Sequence, residues 1–232
     1  HALLTLAAIH VGIPSAAISP AYSLVSQDFA RLKEVFDTIN PGMIYAADEQ
    51  PFAKAIAAVS APDSRMLFGK NAPSEAQDIK TALATEPTDA VDAAFAKVNP
   101  DTVAKFLFTS GSTGSPKAVI NTHRMICSNQ MMAREAFAYF KDEPPVLLSW
   151  APWHHTAAGN KEFFIPIFNG GTFYIDDGNP TPKGIEKTVR NLKDVSTTWY
   201  FNVPKGYEAL IPHLERDEQL RTTFFKDLKM LW

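Results

Sequence analysis

Between Thr109 and Lys117 the chain sets two glycines and five hydroxyl side chains ahead of a lysine: Thr109-Ser110-Gly111-Ser112-Thr113-Gly114-Ser115-Pro116-Lys117. The chemistry such a stretch supports is anion binding. Gly111 and Gly114 let backbone N–H groups approach an anion with no Cβ in the way. The hydroxyls add hydrogen bonds, and Lys117 adds positive charge. A solvated Ser/Gly linker shares this composition, but the setting here is different: Phe106-Leu107-Phe108 precedes the stretch and Ala118-Val119-Ile120 follows it. The P-loop of nucleotidases also places glycines before a phosphate-reaching lysine. In this chain Pro116 stands where that motif requires glycine, and Ala118 stands where it requires a magnesium-holding Ser or Thr. The P-loop reading therefore fails at both places.

A second group of interest is Trp150-Ala151-Pro152-Trp153-His154-His155. Taken alone, a His-His pair after a strand reads first as a loop or core histidine. Adjacent histidines point in different directions, and no carboxylate or cysteine accompanies them at ligand spacing, so no metal site is expected. The single cysteine, Cys127, rules out an internal disulfide and reads as a buried or half-buried small hydrophobe.

With both stretches in view, the sequence resembles the adenylate-forming superfamily of acyl-CoA synthetases, luciferases and peptide-synthetase adenylation domains. Thr109 to Lys117 matches the signature that closes over the β- and γ-phosphates of ATP. The resemblance implies ATP phosphate binding by Thr109, Ser110, Gly111, Ser112, Thr113, Gly114 and Lys117. It places His155 at the family's histidine position, as the candidate catalytic residue bordering an acyl pocket with Trp153, Ala157 and Ala158; His154 is the weaker choice. Ala7 to Pro14 with Ile18-Ser19-Pro20 is similar to the family's early structural segment. Within the superfamily, the feruloyl-CoA synthetase branch is the nearest likeness, through Val119 to Met125, Gly170 to Gly178 and Tyr200 to Glu208. One departure is Ala157-Ala158, where that branch has an aromatic and then glycine.

What the resemblance implies is a two-step acid:CoA ligase. A carboxylic acid, ferulate or another hydroxycinnamate, reacts with ATP to give acyl-AMP and pyrophosphate, and the CoA thiol then takes the acyl group. ATP, Mg2+ and coenzyme A are the implied substrates and cofactors. A non-catalytic nucleotide-binding module, or an adenylating enzyme for a different acid, is the alternative. The family's ribose, magnesium and hinge elements and its mobile C-terminal domain have no counterpart before Trp232. Residues 1–232 are accordingly expected to be part of the N-terminal AMP-binding domain, inactive alone.

Composition agrees with that class. The 232 residues are 46% hydrophobic, enough for a sizeable core, and 22 Lys and Arg against 25 Asp and Glu leave a net charge of −3. Neither nucleic acid nor an anionic membrane is favoured as a partner. One cysteine fits a reducing, cytoplasmic setting. The apolar run Ala2 to Ile13 is too short to span a bilayer, and a chain opening on His1 within a helical pattern reads as beginning inside a domain.

The elements that must position these residues alternate in the manner of an α/β fold, the large N-terminal domain of an adenylate-forming enzyme. Helices are predicted over Ser26 to Asn40, Phe52 to Val59, His123 to Phe140, Lys161 to Phe168, Pro182 to Leu192 and Pro204 to Leu214. Strands are predicted at Met43 to Ala46, Arg65 to Phe68, Val103 to Phe108, Ala118 to Ile120, Val146 to Trp150, Thr172 to Ile175 and Thr198 to Asn202. From Gly69 to Pro100 a surface excursion is expected, with a helical hint at Glu75 to Ala84.

Overall fold

The computed structural model describes residues 1–61, 64–109 and 114–232. Internal contacts divide the chain into two compact units, His1–Arg124 and Met125–Trp232, each a mixture of helices and strands. Among the described residues no helix is long and apolar enough to cross a membrane.

In the first unit, α1 (Ala2–His10) gives way at Gly12, whose φ of +74° suits glycine alone, to β1 (Ser15–Ala16). After α2 (Ala21–Leu24), α3 (Ala30–Ile39) buries Leu32 and Val35 on the expected face and stops at left-handed Asn40. It starts later than Ser26 because local side chains take the backbone first. Ser26 Oγ accepts from the Phe29 N–H at 3.0 Å, and Asp28 accepts from the Ala30 N–H at 3.1 Å. The strands β2 (Met43–Ala46) and β3 (Arg65–Phe68) fall where the apolar runs predict, with α4 (Glu49–Ala57) between them; β2 is less buried than expected, with only Ala46 buried and Met43 exposed.

The Gly69 to Pro100 stretch is more structured than expected. It holds β4 (Gln77–Asp78), paired with β3, then α5 (Ile79–Leu83) and α6 (Asp89–Phe95). Neither helix buries a residue, so neither leaves an apolar stripe in the sequence. The remaining sheet centres on β5 (Val103–Thr109), parallel to β1 and antiparallel to β6 (Lys117–Thr122).

The chain enters the second unit through α7 (His123–Ala136), which turns Ile126 and Gln130 inward. Cys127 lies one position off that face and is exposed, not buried as its residue type suggests. A short 3-10 turn, Ala138–Lys141, precedes a four-stranded parallel sheet of order β10-β9-β7-β8. Its strands are β7 (Val146–Ser149), β8 (Thr172–Ile175), β9 (Trp199–Tyr200) and β10 (Met230–Leu231). The crossover segments contain α8 (Phe163–Asn169), α9 (Pro182–Asp194), α10 (Pro204–Arg216) and α11 (Glu218–Lys226).

Successive strand residues point to opposite faces, and the core divides accordingly. Leu148 and Tyr200 pack with Ile185, Val189, Leu192, Leu210, Leu220 and Phe224, whereas Leu147 and Trp199 pack with Phe140 and Ile165. Burial on both faces is the requirement of a parallel sheet.

The Gly170 to Gly178 motif serves the scaffold. Asp176, buried, accepts from Thr188 Oγ1 at 2.5 Å, from Asn191 Nδ2 at 2.8 Å and from the Gly178 N–H at 3.0 Å, tying the end of β8 to α9. A Cβ on Gly178 would overlap Thr188 Oγ1. Gly178→Ala is therefore expected to destabilise the protein by about 1 to 3 kcal/mol in urea unfolding. Gly42→Ala, where an added Cβ meets nothing within 4 Å, should stay within about 0.5 kcal/mol. Equal effects at the two positions would remove the clasp from the account.

Candidate functional site

In the first unit, the strands on either side of the glycine-hydroxyl stretch, β5 and β6, pair antiparallel, as expected of extended segments flanking it. Ser110, Gly111, Ser112 and Thr113 lie outside the described residues. The hairpin's last pair is Thr109 opposite Lys117, preceded by Phe108 opposite Ala118 and Leu107 opposite Val119. Directly opposed residues of an antiparallel pair project on one face, about 5 Å apart at Cβ. The Thr109 hydroxyl and the Lys117 ammonium thus leave the ladder side by side, both exposed.

Gly114 has φ +91°, and among the described residues nothing lies within 4 Å of where a Cβ would stand. Its backbone conformation suits glycine, and the space beside it is open. At the hairpin's base, Arg124 grips Asp101 through two hydrogen bonds of 2.9 and 3.2 Å, while its own N–H donates to the Pro100 carbonyl at 2.7 Å. A cation, a hydroxyl and a glycine-freed backbone therefore gather at the open end of a hairpin pinned at the other. Lys105, buried on β5, is a further lysine that sequence reasoning passed over; burial lowers it to about 8.

In the second unit, the histidine segment leaves the C-terminal end of β7, where ligands of open α/β sheets are held. Trp153 does not stand free: its ring lies 4.8 Å from that of Phe163 and 6.2 Å from that of Phe173, centroid to centroid. His155 is exposed and accepts weakly from the Ala157 N–H through Nδ1 at 3.4 Å. Burial, with a smaller push from His155, lowers the His154 imidazole and favours its neutral form. Ala157 is half-buried and Ala158 buried.

These alanines open a π-helical turn, Ala157–Glu162, that continues directly into α8. The junction has a covalent cause. Pro166 has no N–H to offer the carbonyl four residues earlier, which belongs to Glu162. π-turns of this kind recur at functional sites.

Two charged side chains on this turn escaped the sequence reading. Glu162 is 1% exposed; its Oε2 accepts from Ser149 Oγ at 2.9 Å, and its Oε1 has no protein partner. Burial pushes its carboxyl up to about 7, with the Ser149 hydrogen bond and Lys161 opposing. Lys161 Nζ lies over the rings of Trp232, Phe201 and Trp199, at 3.9, 5.2 and 5.5 Å from their centroids. Burial lowers it to about 8. The legible signal was a Lys-Glu pair flush against the apolar run 163–168, where a solvated carboxylate has no place. Among the described residues no three His, Cys, Asp or Glu side chains converge.

The family model described as AMP-binding enzyme matches residues 1–232. A medium-chain-fatty-acid–[acyl-carrier-protein] ligase of Teredinibacter turnerae is 37% identical over 76 residues, 33% of this chain and 12% of that protein. A long-chain-fatty-acid–CoA ligase of Rattus norvegicus is 31% identical over 136 residues, 55% of this chain and 20% of its own length. Among solved structures, a malonyl-CoA ligase with methylmalonyl-CoA and AMP bound superposes with a TM-score of 0.72 at 18% identity, over 99% of this chain and 43% of that one. The chain thus spans well under half the length of these relatives, and the structural likeness establishes the fold.

The raised Glu162 carboxyl has a consequence for stability. Its folded pKa of about 7 exceeds the ordinary 4.5, so the folded state holds the proton more tightly. Stability from this group is full below pH 4.5 and is lost as pH rises to about 7. Glu162→Gln should remove that loss, gaining on the order of 3 kcal/mol relative to the parent at pH 8 compared with pH 4.5. Urea unfolding at the two pH values measures it; parallel stability profiles would mean that Glu162 is not buried in this way.

Proposed function

Because the chain belongs to the AMP-binding enzyme family, we propose that it supplies the pyrophosphate-gripping hairpin and the acyl-binding segment of an ATP-dependent acid–thiol ligase. The acid's carboxylate attacks the α-phosphorus of ATP, the bond to the β-phosphate oxygen breaks, and pyrophosphate departs with the electron pair. A thiol then displaces AMP from the acyl adenylate. The observation that carries this reading is the open end of the hairpin, with Thr109 and Lys117 paired across the ladder beside left-handed Gly114. Negative charge develops on the departing phosphates, and a fixed ammonium and backbone donors stabilise it most when water is displaced. Ser110, Gly111, Ser112 and Thr113 complete this grip on the proposed reading.

His155, with Trp153, Ala157 and Ala158, borders the acyl group in this assignment. The partly exposed His155 and Ala157 on a widened turn, backed by the Trp153 and Phe163 rings, favour a planar aromatic acid such as ferulate or another hydroxycinnamate. The thiol is taken to be that of coenzyme A, the acceptor named for the rat relative, while the Teredinibacter relative is named for an acyl carrier protein. Residues 1–232 are read as part of the N-terminal domain of the longer protein, acting in the cytoplasm.

Acid-dependent ATP–pyrophosphate exchange by the full-length protein, across a panel of aromatic and aliphatic acids, tests the reaction and its substrate. Lys117→Ala should lower exchange by about 100-fold, as loss of one donor to developing charge does elsewhere, while acid binding measured by calorimetry changes little. Intact exchange with weakened acid binding would move Lys117 out of the phosphate role. Residues 1–232 alone should give no exchange, since proximity terms require nucleotide, acid and leaving group to be held together.

A further inference from the structure

Gln130 is 1% exposed in the middle of α7, one helical turn beyond Ile126 on the inward face of that helix. Glutamine is ordinarily a surface residue, and an amide withdrawn from water lowers stability unless it is hydrogen-bonded. An apolar side chain of the same length fills such a position without that cost. The amide therefore matters for its hydrogen bonds, and its partners show where. Its Nε2 donates to the Asn160 carbonyl at 3.0 Å and lies 3.5 Å from the Lys161 carbonyl. Both carbonyls belong to the π-turn, and they fix the orientation of the amide, because a carbonyl oxygen only accepts and the NH2 end must face it. That orientation leaves Gln130 Oε1 buried with no hydrogen-bond partner among the described residues. The donation to the turn is kept although the acceptor goes unmet.

The turn held in this way is short, and its other end carries the residues assigned to the acyl group. Ala157 and Ala158 open it, and the Gly159 N–H donates to the His155 carbonyl at 2.7 Å. Asn160 follows Gly159 directly, so a shift of the Asn160 carbonyl passes through one planar peptide unit to that bond and to the alanines. π-turns are rare beside the α-helical alternative, and a tie from a separate helix opposes reversion to it. We propose that Gln130 is a positioning residue for the acyl-binding segment: its carboxamide, reaching from α7, holds the π-turn in the register that sets His155, Ala157 and Ala158 against the acid. The proposal rests on the reading of those three residues as the acyl-binding segment. It concerns the acid and not the nucleotide, whose phosphates are assigned to Thr109 to Lys117.

The test is ATP–pyrophosphate exchange by the full-length protein and its Gln130→Met and Ile126→Val variants, with ferulate, benzoate, hexanoate and dodecanoate as acids. Met keeps the length of Gln and lacks the donor. Q130M should raise the apparent KM for the acids by about tenfold, the effect of one lost hydrogen bond, while the KM for ATP stays within about twofold. I126V removes a methyl group from the same buried face without touching a hydrogen bond, and it should leave both KM values within about twofold. Urea unfolding identifies the folded variants, and Gln130→Leu carries the same expectation where Q130M does not fold. A general loosening of the fold moves the acid and ATP values together, so a joint rise overturns the proposal, as does an unchanged acid KM in Q130M. Absence of exchange by the parent with every acid sinks the ligase reading itself, and the proposal with it.

Discussion

The geometry of the second unit's site hangs on the burial of one carboxyl. A carboxylate withdrawn from water must be protonated, paired or hydrogen-bonded, and Glu162 takes its hydrogen bond from Ser149 Oγ. The same hydroxyl oxygen accepts from the Ala151 N–H at 3.1 Å. One serine at the end of β7 therefore fixes both the turn that leaves the strand and the last residue of the π-turn that follows. The residues assigned to chemistry, from Trp153 to Ala158, lie between these two anchors. Pro166, inside α8, has no N–H to give the Glu162 carbonyl, so that carbonyl has no α-helical partner where the π-turn meets the helix. A regular α-helix over 157–162 would rotate Lys161 and Glu162 about the axis, and the inward carboxyl and the ring-facing ammonium would not both survive.

The scaffold beneath explains why these groups gather at strand ends. In a parallel sheet covered on both faces, strands give hydrophobic runs such as Val146 to Leu148. Polar residues are then confined to the termini. Ser149 is the first polar residue after such a run, and Asp176 is the first after Thr172 to Ile175. Both are buried at the carboxyl ends of neighbouring strands, yet they serve different ends. Asp176 spends its oxygens on Thr188, Asn191 and Gly178 and so clamps α9, whereas Glu162, held by Ser149, retains an oxygen with no protein partner. Full satisfaction marks Asp176 as a structural clasp.

Much of this was legible in the residues, for definite reasons. Strands that are mostly apolar or aromatic, such as Met43 to Ala46 and Thr172 to Ile175, declare themselves, as do helices opened by Pro182 and Pro204. The hairpin around Thr109 to Lys117 follows from two apolar runs and the glycine-rich stretch between them. Elements that bury nothing, α5 and α6, leave no periodic trace. The two-residue strands β4 and β10 are defined by partners distant in sequence and are invisible locally. In the site, the histidines advertise themselves by type, whereas Lys161 and Glu162 do so only through their place flush against the apolar run 163–168. A Lys-Glu pair at a helix start is ordinarily a solvated face, and here the π-turn ends with Glu162 buried.

The chain also holds two lysines in opposite environments, and the contrast bears on what each can bind. Lys117 stands exposed at a hairpin end, where water and salt screen its field over about 8 Å. Such a cation attracts a highly charged ligand and lets it go, which suits a polyphosphate that must leave as product. Lys161 is half-buried, and its ring neighbours hold the ammonium without accepting its protons. On the proposed reading, the exposed lysine supplies charge for the step common to every acid, where the departing pyrophosphate needs it.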